Sequence, residues 1–83
     1  MSATITTETV QARVANVIAS FGDTPAGEVT REATFEALDI DSLDLAELAQ
    51  IVEEEYGVRL ESSDVAELKT VGDAVDLIVA RAA

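Results

Sequence analysis

"DIDSLDLAEL", residues 39–48, sets one serine among three aspartates and runs directly into apolar residues. Beyond it, Leu45, Leu48, Ala49, Val52 and Tyr56 recur at the spacing of one helical stripe. The pattern predicts a helix over 42–56, ended by Gly57. Asp41 suits the N-cap and Asp44 the third helical position, which makes Ser42 the first helical residue. Its side chain then lies beside backbone N–H groups that lack intrahelical partners, at the positive end of the macrodipole. Acidic residues there stabilise a helix by roughly 0.3–1 kcal/mol each. Read alone, the stretch is an acidic cap that happens to contain a serine.

Upstream, Val10, Val14, Val17, Ile18 and Phe21 predict a first helix over 7–21, capped by Thr6 or Thr7, with Glu8 in its first turn. Gly22, Pro25 and Gly27 stop it. Residues 22–41 then form a long loop. Val29, Phe35 and Leu38 are its candidate anchors, and "TFEAL" a single helical turn within it. A full helix there is disfavoured by Val29, Thr30 and Thr34. Downstream, "VRLESSDVAEL" reads as a bend and a short helix starting near Ser62 or Ser63, with Leu60, Val65 and Leu68 inward. The last helix starts at Thr70, which forms a capping-box pair with Asp73, and carries the stripe Val71, Ala74, Val75, Ile78 and Ala82. No stretch sustains strand alternation. The expected fold is all-α, a small four-helix bundle of three longer helices and one short helix with a long first loop. One domain is expected over 1–83, with residues 1–6 a flexible N-terminus.

The chain has 83 residues, so the core is thin and stability is several kcal/mol at most. It contains neither cysteine nor histidine, which argues against a hydrolytic triad and a thiolate or imidazole metal site. Net charge is -12, from 17 acidic and 5 basic residues, which disfavours nucleic acid and anionic membranes and favours a basic protein partner. No stretch is apolar enough to span a bilayer, and the N-terminus lacks the pattern of a signal peptide, so a cytoplasmic protein is expected.

Two sharper readings compete for the serine. Asp39, Asp41 and Asp44 have part of the spacing of a calcium loop, but Leu43, Asp44 and Gln50 occupy positions that such a loop gives to a ligand, a glycine and a glutamate. No metal site is therefore expected. The other reading is a phosphate-bearing serine, which a helix N-terminus accommodates well. The neighbouring aspartates then require that the group project outward.

"LDIDSLDLAEL", "VEEEYGVRL" and "LKTVGDAVDLI", in that order and at these separations, resemble the acyl carrier protein family from about Val10 to Val79. The resemblance also includes Phe35 and Leu38 ahead of the serine and Tyr56 at the helix end. It implies that Ser42 carries 4'-phosphopantetheine, transferred from coenzyme A by a phosphopantetheinyl transferase, and that acyl groups are held on the arm's thiol. The chain is then a carrier and not an enzyme; the transferase must supply the base that activates Ser42. Two positions depart from the family's usual pattern. Asp39 stands three before Ser42, where many members have Gly, and Leu60–Glu61 stands where many have Pro.

Residues 36–67 hold eleven acidic residues and one basic residue, Arg59. Such exclusion of cations costs stability through like-charge repulsion and points to selection for a basic docking surface. The resemblance implies that Asp41, Leu43, Glu47, Glu53 and Glu54 contact partner enzymes: the transferase, a ketosynthase, an acyltransferase and their relatives. Leu43 lies off the core stripe and is either an apolar anchor for a partner or a half-buried helix-end residue. Ala46 and Gln50 stand where many relatives have larger apolar groups, so partner contacts should be more electrostatic here. Ala49, Ala66 and Ala74 are small, so the helix junction is a candidate entry for an acyl chain. The expected function is a monomeric, discrete acyl carrier of fatty-acid or polyketide synthesis. The alternatives are an aminoacyl or peptidyl carrier and an acidic helical interaction module with an unmodified serine.

Overall fold

The computed structural model describes residues 5–22 and 24–82. It contains four α-helices: α1 (Thr7–Phe21), α2 (Ser42–Tyr56), α3 (Ser62–Glu67) and α4 (Val71–Ala82). A 3-10 turn at Ala26–Glu28 interrupts the first loop. The described residues contain no strand, only an isolated antiparallel bridge between Thr34 and Thr70. Residues 1–4 of the expected N-terminal arm lie outside the described residues, while Ile5 packs against the core and Thr6 caps α1.

The core is aliphatic and centred on α1 and α4. Val10, Val14, Ile18, Val71, Val75 and Ile78 are the largest fully buried side chains, and all six belong to those two helices. Burying each such side chain is worth about 1.5–3 kcal/mol, so this contact is the main source of stability in so small a chain. α2 adds Leu48 and Val52, with Leu45, Ile51 and Tyr56 at the margin. Burial raises the pKa of the Tyr56 phenol. Ile40 and Val58, just outside the two ends of α2, are also buried. They plug the core where the chain enters and leaves that helix.

Backbone hydrogen bonds hold the long first loop. At the start of α4, the Val71 N–H donates to the Ala33 carbonyl at 2.9 Å and the Gly72 N–H to the Arg31 carbonyl at 2.9 Å. The Asp73 N–H donates to Thr70 Oγ1 at 3.1 Å, and Asp73 Oδ2 accepts from the Thr70 and Lys69 N–H groups at 3.2 Å each. The donors left over at this helix start are thus satisfied by the loop and by a reciprocal cap. These N–H groups hold the Asp73 carboxyl below the usual range. Gly72 suits the close approach, since a Cβ there would stand 3.1 Å from the Arg31 carbonyl oxygen and the loop would have to give way by a few tenths of an ångström.

The last turn before α2 matches the "TFEAL" expectation. The Leu38 N–H donates to the Thr34 carbonyl at 3.1 Å, the Asp39 N–H to Glu36 at 3.1 Å and the Ile40 N–H to Phe35 at 2.9 Å. The last two bonds, with Asp39 at φ 60°, make a Schellman-type ending. Asp39 thus occupies a left-handed conformation that glycine adopts most easily and that aspartate tolerates. The departure from Gly at this position keeps the turn and adds a charge.

At the other departure, α3 starts without proline. The Glu61 N–H donates to Asp64 Oδ2 at 3.0 Å. Arg81 of α4 reaches back to Asp64, Nη1 to Oδ2 at 3.0 Å and Nη2 to Oδ1 at 2.7 Å, and also donates to the Arg59 carbonyl at 3.3 Å. This clamp ties α3 and the turn before it to the end of α4.

Candidate functional site

Ser42 is the first residue of α2 and is exposed. Asp41 caps the helix: its Oδ1 accepts from the Asp44 N–H at 3.0 Å, while Asp44 Oδ2 accepts from the Asp41 N–H at 3.4 Å. The Leu45 N–H bonds the Asp41 carbonyl at 3.0 Å. The N–H groups of Ser42 and Leu43 have no hydrogen-bond partner among the described residues, and neither does the Ser42 hydroxyl. The two aspartates therefore build the helix start and leave two donors and a nucleophilic oxygen facing solvent. These features fit a phosphodiester on Ser42 Oγ, since the free N–H groups and the macrodipole both favour an anion there. Asp39, Asp41 and Asp44 oppose that charge, which favours an outward-projecting group.

The other sequence-predicted residues divide between two faces of α2. At roughly 100° per residue, Leu43, Glu47 and Glu54 share one outer stripe. Leu43 is 77% exposed, which decides between its two expected states. Glu53 lies instead on the neighbouring face with Ser42, Ala46 and Ala49. No cation pairs with Glu47, Glu53 or Glu54 among the described residues. Glu55 differs: the Arg13 guanidinium on α1 donates from Nε to both its carboxylate oxygens, at 2.9 and 2.8 Å, and holds its pKa below the usual range.

The face with Ser42 forms one wall of a groove of about 580 Å3 between α2 and α3. Val65 and Ala66 of α3 line the opposite wall. Of the three alanines read as a possible chain entry, Ala49 and Ala66 line this groove, whereas Ala74 is buried in the core. Arg59, Glu61 and Ser62 also line it. The sequence reading gave them no role; the only signal was that Arg59 is the lone cation of an acidic segment.

Residues 12–78 match the family model described as the phosphopantetheine attachment site. The chain is 40% identical over 72 residues to an acyl carrier protein of Acidothermus cellulolyticus, covering 86% of each. It is also 40% identical over 75 residues to the meromycolate extension acyl carrier protein of Mycobacterium leprae, covering 89% of this chain and 65% of that protein. Among solved structures, the acyl carrier protein of Enterococcus faecalis superposes with a TM-score of 0.78 at 34% identity, over 92% of this chain and 98% of that one. The acyl carrier protein of Thermotoga maritima, at 23% identity and a TM-score of 0.78, shares the fold.

Proposed function

The chain belongs to the acyl carrier protein family, and from that premise we propose that Ser42 is its point of attachment for 4'-phosphopantetheine. The observation that carries this reading is the exposed, unbonded Ser42 hydroxyl beside the two free N–H groups at the start of α2. When bound, the group supplies a thiol on which acyl chains are held as thioesters. The chain itself presents and positions. It has no histidine or cysteine, and the nearby Asp41 and Asp44 carboxylates are engaged in capping. In this reading the proton leaving Ser42 Oγ passes to a base on the transferase.

The outer stripe of α2 is the docking face in this reading. Leu43 supplies an apolar contact, and Glu47 and Glu54, with Asp41 at the helix start, meet basic side chains of the transferase, ketosynthase and acyltransferase. Glu53 contributes from the groove side. The pathway is fatty-acid or polyketide synthesis in the cytoplasm, with the carrier a monomer and residues 1–83 one domain. Among the described residues, no helix is long and apolar enough to cross a membrane.

Incubation with coenzyme A and a broad-specificity phosphopantetheinyl transferase tests the attachment. Intact-mass analysis should show one added phosphopantetheine on the parent chain and none on Ser42→Ala. An unchanged parent mass, or equal modification of Ser42→Ala, overturns the assignment.

A further inference from the structure

The groove beside Ser42 differs from the core in its walls. None of its lining residues is fully buried; Ala49, Leu60 and Val65 are half-buried and the others exposed. A hydrocarbon laid along it remains partly wet and gains only part of the benefit of burial. The same walls carry hydrogen-bonding groups at close quarters: Gln50 and Glu53 from α2, and Arg59, Glu61 and Ser62 from the opposite side.

Arg59 is the feature that decides what these groups suit. Its backbone carbonyl is held by Arg81 Nη1 at 3.3 Å, so the turn that carries it is anchored. Its guanidinium has no carboxylate at ion-pair distance among the described residues, although Glu53 and Glu61 line the same groove. A planar cation with five donors is thus left available. Two carboxylates against one guanidinium disfavour an anionic occupant. A neutral carbonyl or hydroxyl meets both needs, since its oxygen accepts from Arg59 and a hydroxyl donates to Glu53 or Glu61.

We infer that the groove between α2 and α3 prefers a neutral acyl chain bearing keto or hydroxyl oxygens to a hydrocarbon chain of equal length, and that Arg59 sets this preference. The inference rests on Ser42 being the attachment point; Ser42 lines the groove, so the arm that carries the acyl chain starts at its edge.

Transferase loading from octanoyl-coenzyme A and from 3,5-dihydroxyoctanoyl-coenzyme A provides the comparison, with intact mass establishing full loading of each sample. In 15N–1H spectra, the dihydroxylated chain should shift the Arg59 Nε–H and Gln50 side-chain signals and the backbone amides of Leu60 and Val65. The octanoyl chain should shift them less. In Arg59→Gln, the amide shifts caused by the dihydroxylated chain should fall to the octanoyl level. Equal shifts from the two chains, or shifts that persist in Arg59→Gln, overturn the inference while leaving the attachment intact. A chain that takes up no mass at all overturns the attachment reading itself.

Discussion

Asp39 shows a side chain held against its backbone preference by the turn it closes. Its φ of 60° ends the turn that delivers the chain to Ser42, and the Ile40 N–H bond to Phe35 at 2.9 Å depends on that conformation. An L-residue there carries a steric cost of roughly 1–2 kcal/mol, less for aspartate than for most. Glycine would relieve it and would also remove one charge from the cluster beside Asp41 and Asp44. Asp39→Gly should therefore stabilise the fold, by less than the roughly 1–2 kcal/mol of strain it relieves because glycine is also freer in the unfolded chain, read as a higher midpoint in urea with an unchanged slope. A lower midpoint would mean that the Asp39 carboxylate makes a stabilising contact that outweighs its backbone strain.

At the scale of elements, α2 is held by its own stripe and caps, whereas α3 is held from outside. With six residues it is too short to be stable alone, and none of its side chains is fully buried. The Arg81–Asp64 pair supplies the missing restraint and holds the Asp64 carboxyl below the usual range, with the Glu61 N–H assisting. Arg81→Ala should accelerate amide hydrogen exchange across Ser62–Glu67 several-fold and leave α1 nearly unchanged; uniform protection in the variant would show that packing alone holds α3. On α2, reversing Glu47 and Glu54 to Lys should slow transfer by the partner synthase at low salt, with the difference shrinking as salt rises. Unchanged turnover at low salt would remove the outer stripe from the docking face. These two helices also mark what the sequence can express. The stripe and caps of α2 are local, so the positions of Asp41, Ser42 and Asp44 follow from residues within one turn of each other. The single turn in the loop was legible too, because Phe35 and Leu38 mark it. Ile40 and Val58 were not, because isolated apolar residues in loops carry no period. The groove was half legible: the small side chains of Ala49 and Ala66 marked it, but its polar wall carried no local signal, because it stands where Arg81 holds α3.

For the whole molecule, the balance is between a compact aliphatic core and a net charge of -12. Cations pair at Glu55, Asp64 and Asp76, while the outer face of α2 is left uncompensated. Repulsion across that face opposes folding and is screenable, because the Debye length falls from about 30 Å at 0.01 M salt to about 8 Å at 0.15 M. Raising salt over that range at pH 7 should therefore raise Tm; a gain of about 1 kcal/mol corresponds to roughly 4–8 °C in a chain of this size. Acid acts with the opposite sign on a different set of groups. Glu55, Asp64 and Asp73 all have folded pKa values below their ordinary ones, through Arg13, through Arg81, and through the Thr70 and Lys69 N–H groups respectively. Their contribution is fully present above the unfolded value, near pH 4, and disappears as pH falls through the folded values. At 0.15 M salt, where repulsion is already screened, Tm should decline steadily as pH falls below about 4. A Tm that drops when salt is added at pH 7 would mean that the ion pairs at Glu55, Asp64 and Asp76 outweigh the repulsion, and that the acidic face carries no stability cost.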